Sequence, residues 1–219
     1  MGTKNPPITW HPEIFSEKQQ TVLKRLGSLL TQEGFYMGGG TAVALYFGHR
    51  RSFDLDWFTP QPLKDPLGLS RRIMDLTPFS IDQMERGTLH GRASEVRISC
   101  LEYRYPLLKK LQPFSDYQCR VAAWQDLACM KLAAVSQRGS KKDFVDLMAM
   151  METTSLKTML KWYQKKYPVN SITPVLYGLV YFDEADQEGQ PKMIQEIPWE
   201  EAKQTLRKIV AAFYSGKRP

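Results

Sequence analysis

The stretch FYMGGGTAVALYFGHRRSFDLDWF, residues 35–58, decides the fold. Phe35-Tyr36-Met37 is a short apolar run that enters three glycines, and residues 41–47 have helical composition as far as Gly48. The unit reads strand, glycine turn, short helix. Residues 53–58 then alternate polar with apolar ahead of the Thr59-Pro60 and Gln61-Pro62 breakers, which predicts a second strand. On a strand, residues two apart share a face, so Asp54 and Asp56 project together. Two adjacent anions repel unless a cation lies between them, and such hard oxygen donors suit Mg²⁺, which binds through a few carboxylates together with substrate phosphates. Gly39, Gly40 and Thr41 supply the complementary half: a turn without side chains lets backbone approach phosphate, and the N–H groups at the helix start point at the anion. Taken alone, the glycines are a tight turn and the aspartates a solvated strand edge. Their order and spacing, with Arg50 and Ser52 just ahead of Asp54, make the joint signal.

Working outward, residues 16–33 place Val22, Leu23, Leu26, Leu29 and Leu30 at helical spacing, and Gly34 closes that helix. After the second strand, residues 67–76 read as a helix, and 79–86, 88–92 and 95–103 as a strand meander. The first half is therefore α+β with a mixed or antiparallel sheet. The character changes near Gln112-Pro113, beyond which 122–136, 141–151, 155–166 and 200–214 have helical periodicity. Residues 1–113 are expected to form the core domain and 114–219 a mainly helical C-terminal domain. The run 171–183 fits helix or strand equally.

With 219 residues, 42% hydrophobic and 24% charged, the composition is that of a folded, water-exposed chain. Thirty Lys and Arg against 23 Asp and Glu give a formal charge of +7, which suits nucleotides or RNA and equally an ordinary basic surface. Cys100, Cys119 and Cys129 are odd in number and lack paired ligand spacing, and His11, His49 and His90 are scattered, so neither a disulfide framework nor a zinc site is supported. No apolar run approaches bilayer length, and the start MGTKNPPITW has no signal-peptide pattern, so a cytoplasmic location is expected.

The run Gly-Gly-Thr-Ala, a short apolar helix ending Gly-His-Arg, and Arg50-x-Ser52-x-Asp54-Leu55-Asp56 resemble the AbiEii/AbiGii-type nucleotidyltransferases of the DNA polymerase beta superfamily. The resemblance continues through Lys131-Leu132-Ala133-Ala134, Arg138 and Lys142-Asp143-Phe144-Val145-Asp146-Leu147, and covers most of residues 38–146. It implies a nucleotidyltransferase core in which Gly39, Gly40 and Thr41 hold nucleotide phosphates, Asp54 and Asp56 hold metal, and Lys131 contacts the triphosphate. Arg50 would neutralise phosphate or pair with an aspartate, Ser52 would orient the loop, and Asp143 or Asp146 would position Lys131 or the acceptor. From the residues alone, Lys131 also fits a solvated lysine, and Asp143 and Asp146, one helical turn apart, also fit partners of Lys142 and Arg138. His49 reads as structural.

One departure concerns a third carboxylate, which the resemblance places on a later strand. The matching position in Val96-Arg97-Ile98-Ser99-Cys100-Leu101 is Ser99, and by alternation Glu95 is the nearby carboxylate on that face. The reading is a Mg²⁺-dependent transferase that moves a nucleoside monophosphate from an NTP to a tRNA or protein acceptor. The resemblance implies a toxin of a toxin–antitoxin or phage-defence system with a cognate antitoxin. The alternative is a catalytically weakened nucleotide- or RNA-binding module of the same fold, and Lys161, Trp162, Lys165, Lys166 and Tyr167 form either an RNA-binding face or a solvated amphipathic helix.

Overall fold

The computed structural model describes residues 8–215; the expected absence of a signal peptide rests largely on residues 1–7, outside that range. Helix α1 (Glu17–Gln32) begins at a capping box, in which the Ser16 hydroxyl accepts from the Gln19 N–H and the Gln19 side chain accepts from the Ser16 N–H. Strand β1 (Tyr36–Met37) follows, then α2 (Gly39–Phe47), β2 (Leu55–Thr59) and α3 (Pro66–Met74). A meander of β3 (Phe79–Glu85), β4 (Thr88–Ala93) and β5 (Val96–Glu102) comes next, then β6 (Gln112–Phe114) and β7 (Cys119–Val121). The rest is helical: α4 (Trp124–Gln137), α5 (Lys141–Met151), α6 (Leu156–Lys166), α7 (Thr173–Gly178), α8 (Asp183–Gln187) and α9 (Trp199–Tyr214).

The strands form one mixed sheet in the order β3-β4-β5-β2-β1-β7-β6. The meander β3-β4-β5 is antiparallel, β5 runs parallel to β2, β2 antiparallel to β1, and β1 parallel to β7. The fold is α+β with a mainly helical second half. Strand β6 straddles the expected division at residue 113 and β7 lies beyond it, and three residues each are too few to show a period in the sequence. The ambiguous run 171–183 is helical: Val175, Leu176, Leu179 and Phe182 are buried at helical spacing, and Pro174 occupies the first turn of α7.

Helices α4 and α5 are the inner layer of the helical half, since α2, α6 and α7 pack on α4 while α2, α8 and α9 pack on α5. A buried ion pair ties α6 to this layer. Lys166 Nζ donates to Asp126 Oδ1 at 2.7 Å and to the Pro106 carbonyl at 2.8 Å, and the Asp126 carboxylate also accepts from the backbone N–H groups of Leu108 and Lys109. The residues considered for an RNA-binding face, Lys161, Trp162, Lys165, Lys166 and Tyr167, therefore do not lie on one exposed surface, although Lys161 and Lys165 are exposed. Lys166 and Tyr167 are buried, and Trp162 packs edge-on against Trp124 with centroids 5.0 Å apart.

Removing one partner of a buried pair strands the other charge. Lys166→Ala is expected to cost about 3–5 kcal/mol, whereas Lys161→Ala and Lys165→Ala, both exposed, should stay within about 0.5 kcal/mol. Urea denaturation of the three variants measures the difference.

Candidate active site

The glycine turn sits where β1 hands over to α2. Gly39 has φ +64°, a conformation that L side chains rarely adopt, and a Cβ there would collide with the Asp56 carboxylate. A Cβ on Gly40 would collide with the Arg50 guanidinium, so both glycines are required by groups packed directly against the turn. The Gly38 N–H donates to the Asp56 carbonyl at 2.9 Å, which locks the turn to β2. Helix α2 has no side-chain cap, and the first backbone donor to find a partner in the helix is Ala42, which bonds the Gly38 carbonyl. The N–H groups of Gly39, Gly40 and Thr41 are thus left for an outside acceptor.

Strand alternation builds the facing wall. Asp54, Asp56 and Phe58 line one cavity together with Arg97, Ser99 and Leu101 of the adjacent parallel strand, where Asp56 stands opposite Ser99. The cavity measures about 1020 Å³ and also meets Gly39, Gly40, Arg50, Ser52, Lys131 and Asp143. Thr41 does not reach it. Its buried hydroxyl donates to the Asp54 carbonyl and lies 2.7 Å from Ser52 Oγ, which can donate to it, while the Ser52 carbonyl accepts from Gln19 at 2.8 Å. These bonds fix the segment that delivers Asp54, and Gln19 is a contributor that helix periodicity alone did not reveal.

Beneath the turn lies a buried ionic cluster. Asp146 Oδ1 accepts from Arg50 Nε at 2.7 Å and lies 2.8 Å from His49 Nε2, and Oδ2 accepts from Arg50 Nη2 at 2.9 Å. Lys131 Nζ lies 2.6 Å from Asp146 Oδ2 and 2.7 Å from Asp143 Oδ1. Lys131 is 6% exposed, which excludes the solvated-lysine reading, and Asp143 and Asp146 pair with Lys131 and Arg50 instead of Lys142 and Arg138. Burial works against ionisation of Asp146, yet Lys131 and Arg50 hold its carboxyl below the usual carboxylate range. One Oδ of Asp143 is buried without a partner among the described residues.

Asp54 and Asp56 present the opposite case. Neither forms an ion pair with a described residue. Burial pushes the Asp56 carboxyl up, the Ser99 hydrogen bond opposes this, and the charge of Asp54 adds to it. The donor set fits a hard divalent cation only in part. Among the described residues no three or more His, Cys, Asp and Glu side chains gather into a metal-holding group, so two carboxylates are what the protein offers and phosphate oxygens must complete the shell.

Glu95 is not part of the site. Ser94 and Glu95 have φ +47° and +71° and form the β4–β5 turn, which breaks the alternation expected to place Glu95 beside Ser99, and Glu95 pairs with Lys18 on the surface. The cavity also holds Arg138 and Lys142 at its rim, which the sequence offered as partners of Asp143 and Asp146, together with Arg97, His90 opposite Ser99 across β4 and β5, and a row of tyrosines, to which no sequence pattern assigned a role in this site. Arg97, Arg138 and Lys142 are exposed and form no ion pair with a described residue. A second cavity of about 920 Å³, bordered by Trp10, Tyr46, Trp124, Lys109 and Lys110, has no carboxylate among its lining residues.

No family model matches the chain. It is 35% identical over 200 residues to the uncharacterized protein aq_aa25 of Aquifex aeolicus, covering 90% of this chain and 96% of that one. The fold is similar to that of MenT4, nucleotidyltransferase toxin Rv2826c of Mycobacterium tuberculosis, with TM-score 0.53 and 17% identity over 88% of this chain and 81% of that one. It is also similar to the antibiotic-resistance factor ANT(2'')-Ia, with TM-score 0.54 and 11% identity over 69% of this chain and 92% of that one.

The two carboxylate groups differ in a way that stability can read. The folded pKa of Asp146 is depressed, so its contribution is complete above the unfolded value of about 3.9 and is lost as pH falls through the folded value. Asp146→Asn should therefore cost about 3–5 kcal/mol at neutral pH and flatten the acid limb of the stability profile. The folded pKa of Asp56 is raised, so its ionised form costs stability at neutral pH. In metal-free buffer Asp56→Asn should melt higher than the wild type by about 2–4 °C, the shift that about 1 kcal/mol produces in a chain of this size. Thermal and pH-dependent unfolding of both variants provides the check.

Proposed function

We propose, given that this chain belongs to the same family as the Aquifex aeolicus protein aq_aa25 and has the fold of nucleotidyltransferases, that it moves a nucleoside monophosphate from an NTP to an acceptor hydroxyl. The observation that carries this reading is the contrast in charge balance. The pairs Arg50–Asp146 and Lys131–Asp143 neutralise one another inside the protein, whereas Asp54 and Asp56 face the uncapped glycine turn across one cavity with no protein cation between them. Such a pair invites a divalent cation that arrives with phosphates. When bound, Mg²⁺ would supply charge stabilisation at the α-phosphate and the leaving pyrophosphate.

The residues of this chain divide the remaining work. Asp54 and Asp56 would hold the metal. The free N–H groups of Gly39 and Gly40 receive phosphate oxygens at the start of α2, and Thr41, which does not reach the cavity, holds the segment that carries Asp54. An ammonium has three donors, and Lys131 commits two of them to Asp143 and Asp146, which leaves the third for the triphosphate. Arg97, Arg138 and Lys142 add unpaired cations at the rim. Arg50 acts through Asp146, as a positioning group under the turn. Ser99 stands opposite Asp56 where the resemblance expects a third carboxylate, and His90, its cross-strand neighbour on the same cavity wall, would take the proton of the attacking hydroxyl on an imidazole nitrogen.

The sequence resemblance to AbiEii/AbiGii-type proteins, and the toxin description of MenT4, support a toxin acting within the cell on tRNA or a protein side chain and held in check by an antitoxin. Among the described residues no helix is long and apolar enough to cross a membrane.

Incubation with each α-labelled NTP, Mg²⁺ and total cellular RNA or protein should give labelled acceptor and pyrophosphate. Asp54→Asn and Asp56→Asn should lower transfer by about 10³-fold or more, the scale of losing a metal-held transition state, with circular dichroism unchanged. His90→Asn should lower kcat with NTP affinity intact, and Ser99→Asp should raise the rate or reduce the Mg²⁺ requirement. Nucleotide binding in Mg²⁺ without pyrophosphate release from any acceptor would favour the binding-module alternative.

A further inference from the structure

The cavity changes character along its length. On β2, Asp54 and Asp56 are followed two residues later by Phe58, on the same face and about 6.7 Å further along at the usual strand rise. On the neighbouring strand, Arg97 and Ser99 give way to Leu101 and then Tyr103. One end therefore carries the carboxylates, the open helix start and the rim cations, and the other end is aromatic.

The aromatic end is a continuous row that starts at the glycine turn. A Cβ on Gly38 would meet Phe58 Cδ2 at 2.6 Å. From Phe58 the ring centroids step 5.5 Å to Tyr103, 5.1 Å to Tyr105 and 4.7 Å to Tyr167, each pair edge to face. The Tyr103 and Tyr167 hydroxyls hydrogen-bond each other, which turns the polar ends of these two rings toward one another. Tyr105 is 43% exposed, unlike the buried Tyr167, and borders the cavity between two rings that set its orientation. Burial does not account for an aromatic ring kept half in water. A flat partner bound in the cavity that the ring borders would.

We infer that this aromatic end, with Tyr105 as its exposed platform, binds the nucleobase of the nucleoside triphosphate, an assignment that rests on the transferase reading of the charged end. A nucleoside triphosphate has the same polarity as the cavity, a polyanionic head joined to a flat heteroaromatic ring. The wall offers ring faces, with the Tyr103 and Tyr167 hydroxyls turned to one another, so stacking area dominates over recognition of base edges. Every base has a π face, and a purine has the larger one. The substrate class is thus an NTP with purines held more tightly than pyrimidines.

The test compares binding of ATP, GTP, CTP and UTP with binding of inorganic tripolyphosphate, in Mg²⁺, by calorimetry on the full chain. Wild type should bind each NTP more tightly than tripolyphosphate, with ATP and GTP ahead of CTP and UTP. Tyr105→Ala should weaken NTP binding by about tenfold, the loss of one stacked base, and leave tripolyphosphate unchanged. Tyr105→Phe and Tyr105→Trp, which keep the ring, should retain wild-type affinity and guard against misfolding of the alanine variant. Equal affinity for tripolyphosphate and every NTP, or an alanine variant with undiminished NTP binding, overturns the nucleobase assignment while leaving the phosphate end intact. The assignment is equally overturned if Tyr105→Ala spares NTP affinity and raises only the KM for acceptor, since the ring then serves the acceptor. If the wild type binds neither tripolyphosphate nor any NTP, the transferase reading itself fails and the nucleobase assignment falls with it.

Discussion

The Asp146 carboxylate, buried completely and shared by Arg50, Lys131 and His49, is the constraint on which the arrangement of the site depends. Its partners come from two other parts of the chain, the segment after α2 and helix α4, and meet it on α5. A bidentate guanidinium–carboxylate pair fixes direction as well as distance. Because Arg50 is held from below, its guanidinium presses against the turn at a place where only a glycine fits, and Gly40 is the result. The cluster thereby sets the height of the glycine turn over the sheet and pins the helical half against it. Desolvation makes such a cluster costly to assemble, and its formal charges cancel, so it contributes position more than stability.

That cancellation has a consequence for the neighbouring pair. With Arg50 and Lys131 committed to Asp143 and Asp146, no internal cation is left to balance Asp54 and Asp56. The protein retains two facing anions beside an uncapped helix start, a combination that is unfavourable until a cation and an anion enter together. Burial raises the Asp56 carboxyl, and the charge of Asp54 adds to that rise. The sheet supplies the rest. Alternation along β2 and β5 sorts charged side chains to one end of the cavity and rings to the other, and the β4–β5 hairpin brings His90 beside Ser99.

Much of this was legible in the sequence because it is local. A glycine turn between an apolar strand and a short helix, two aspartates two residues apart, and helical periodicity through the second half are patterns within windows of a few residues. The strand-level expectation failed where the chain left regular geometry: two left-handed residues at the β4–β5 turn removed Glu95 from the face that its alternation suggested. The short strands β6 and β7 exist through pairing with each other and with β1, and nothing within three residues announces it.

Strand and helix periods follow from backbone geometry alone, so the α+β class, the glycine turn and the shared face of Asp54 and Asp56 were readable from the sequence; Ser99 was named through the family resemblance, and the register of β5 on β2 sets it opposite Asp56. Only the tertiary structure decided which charges are spent and which are free. Lys131 and Lys142, or Asp56 and Asp146, look alike in sequence. They differ because one of each pair is buried against partners some 12 to 97 residues away, while the other faces an open cavity. Ion pairing and burial depend on through-space distance, which no local pattern encodes.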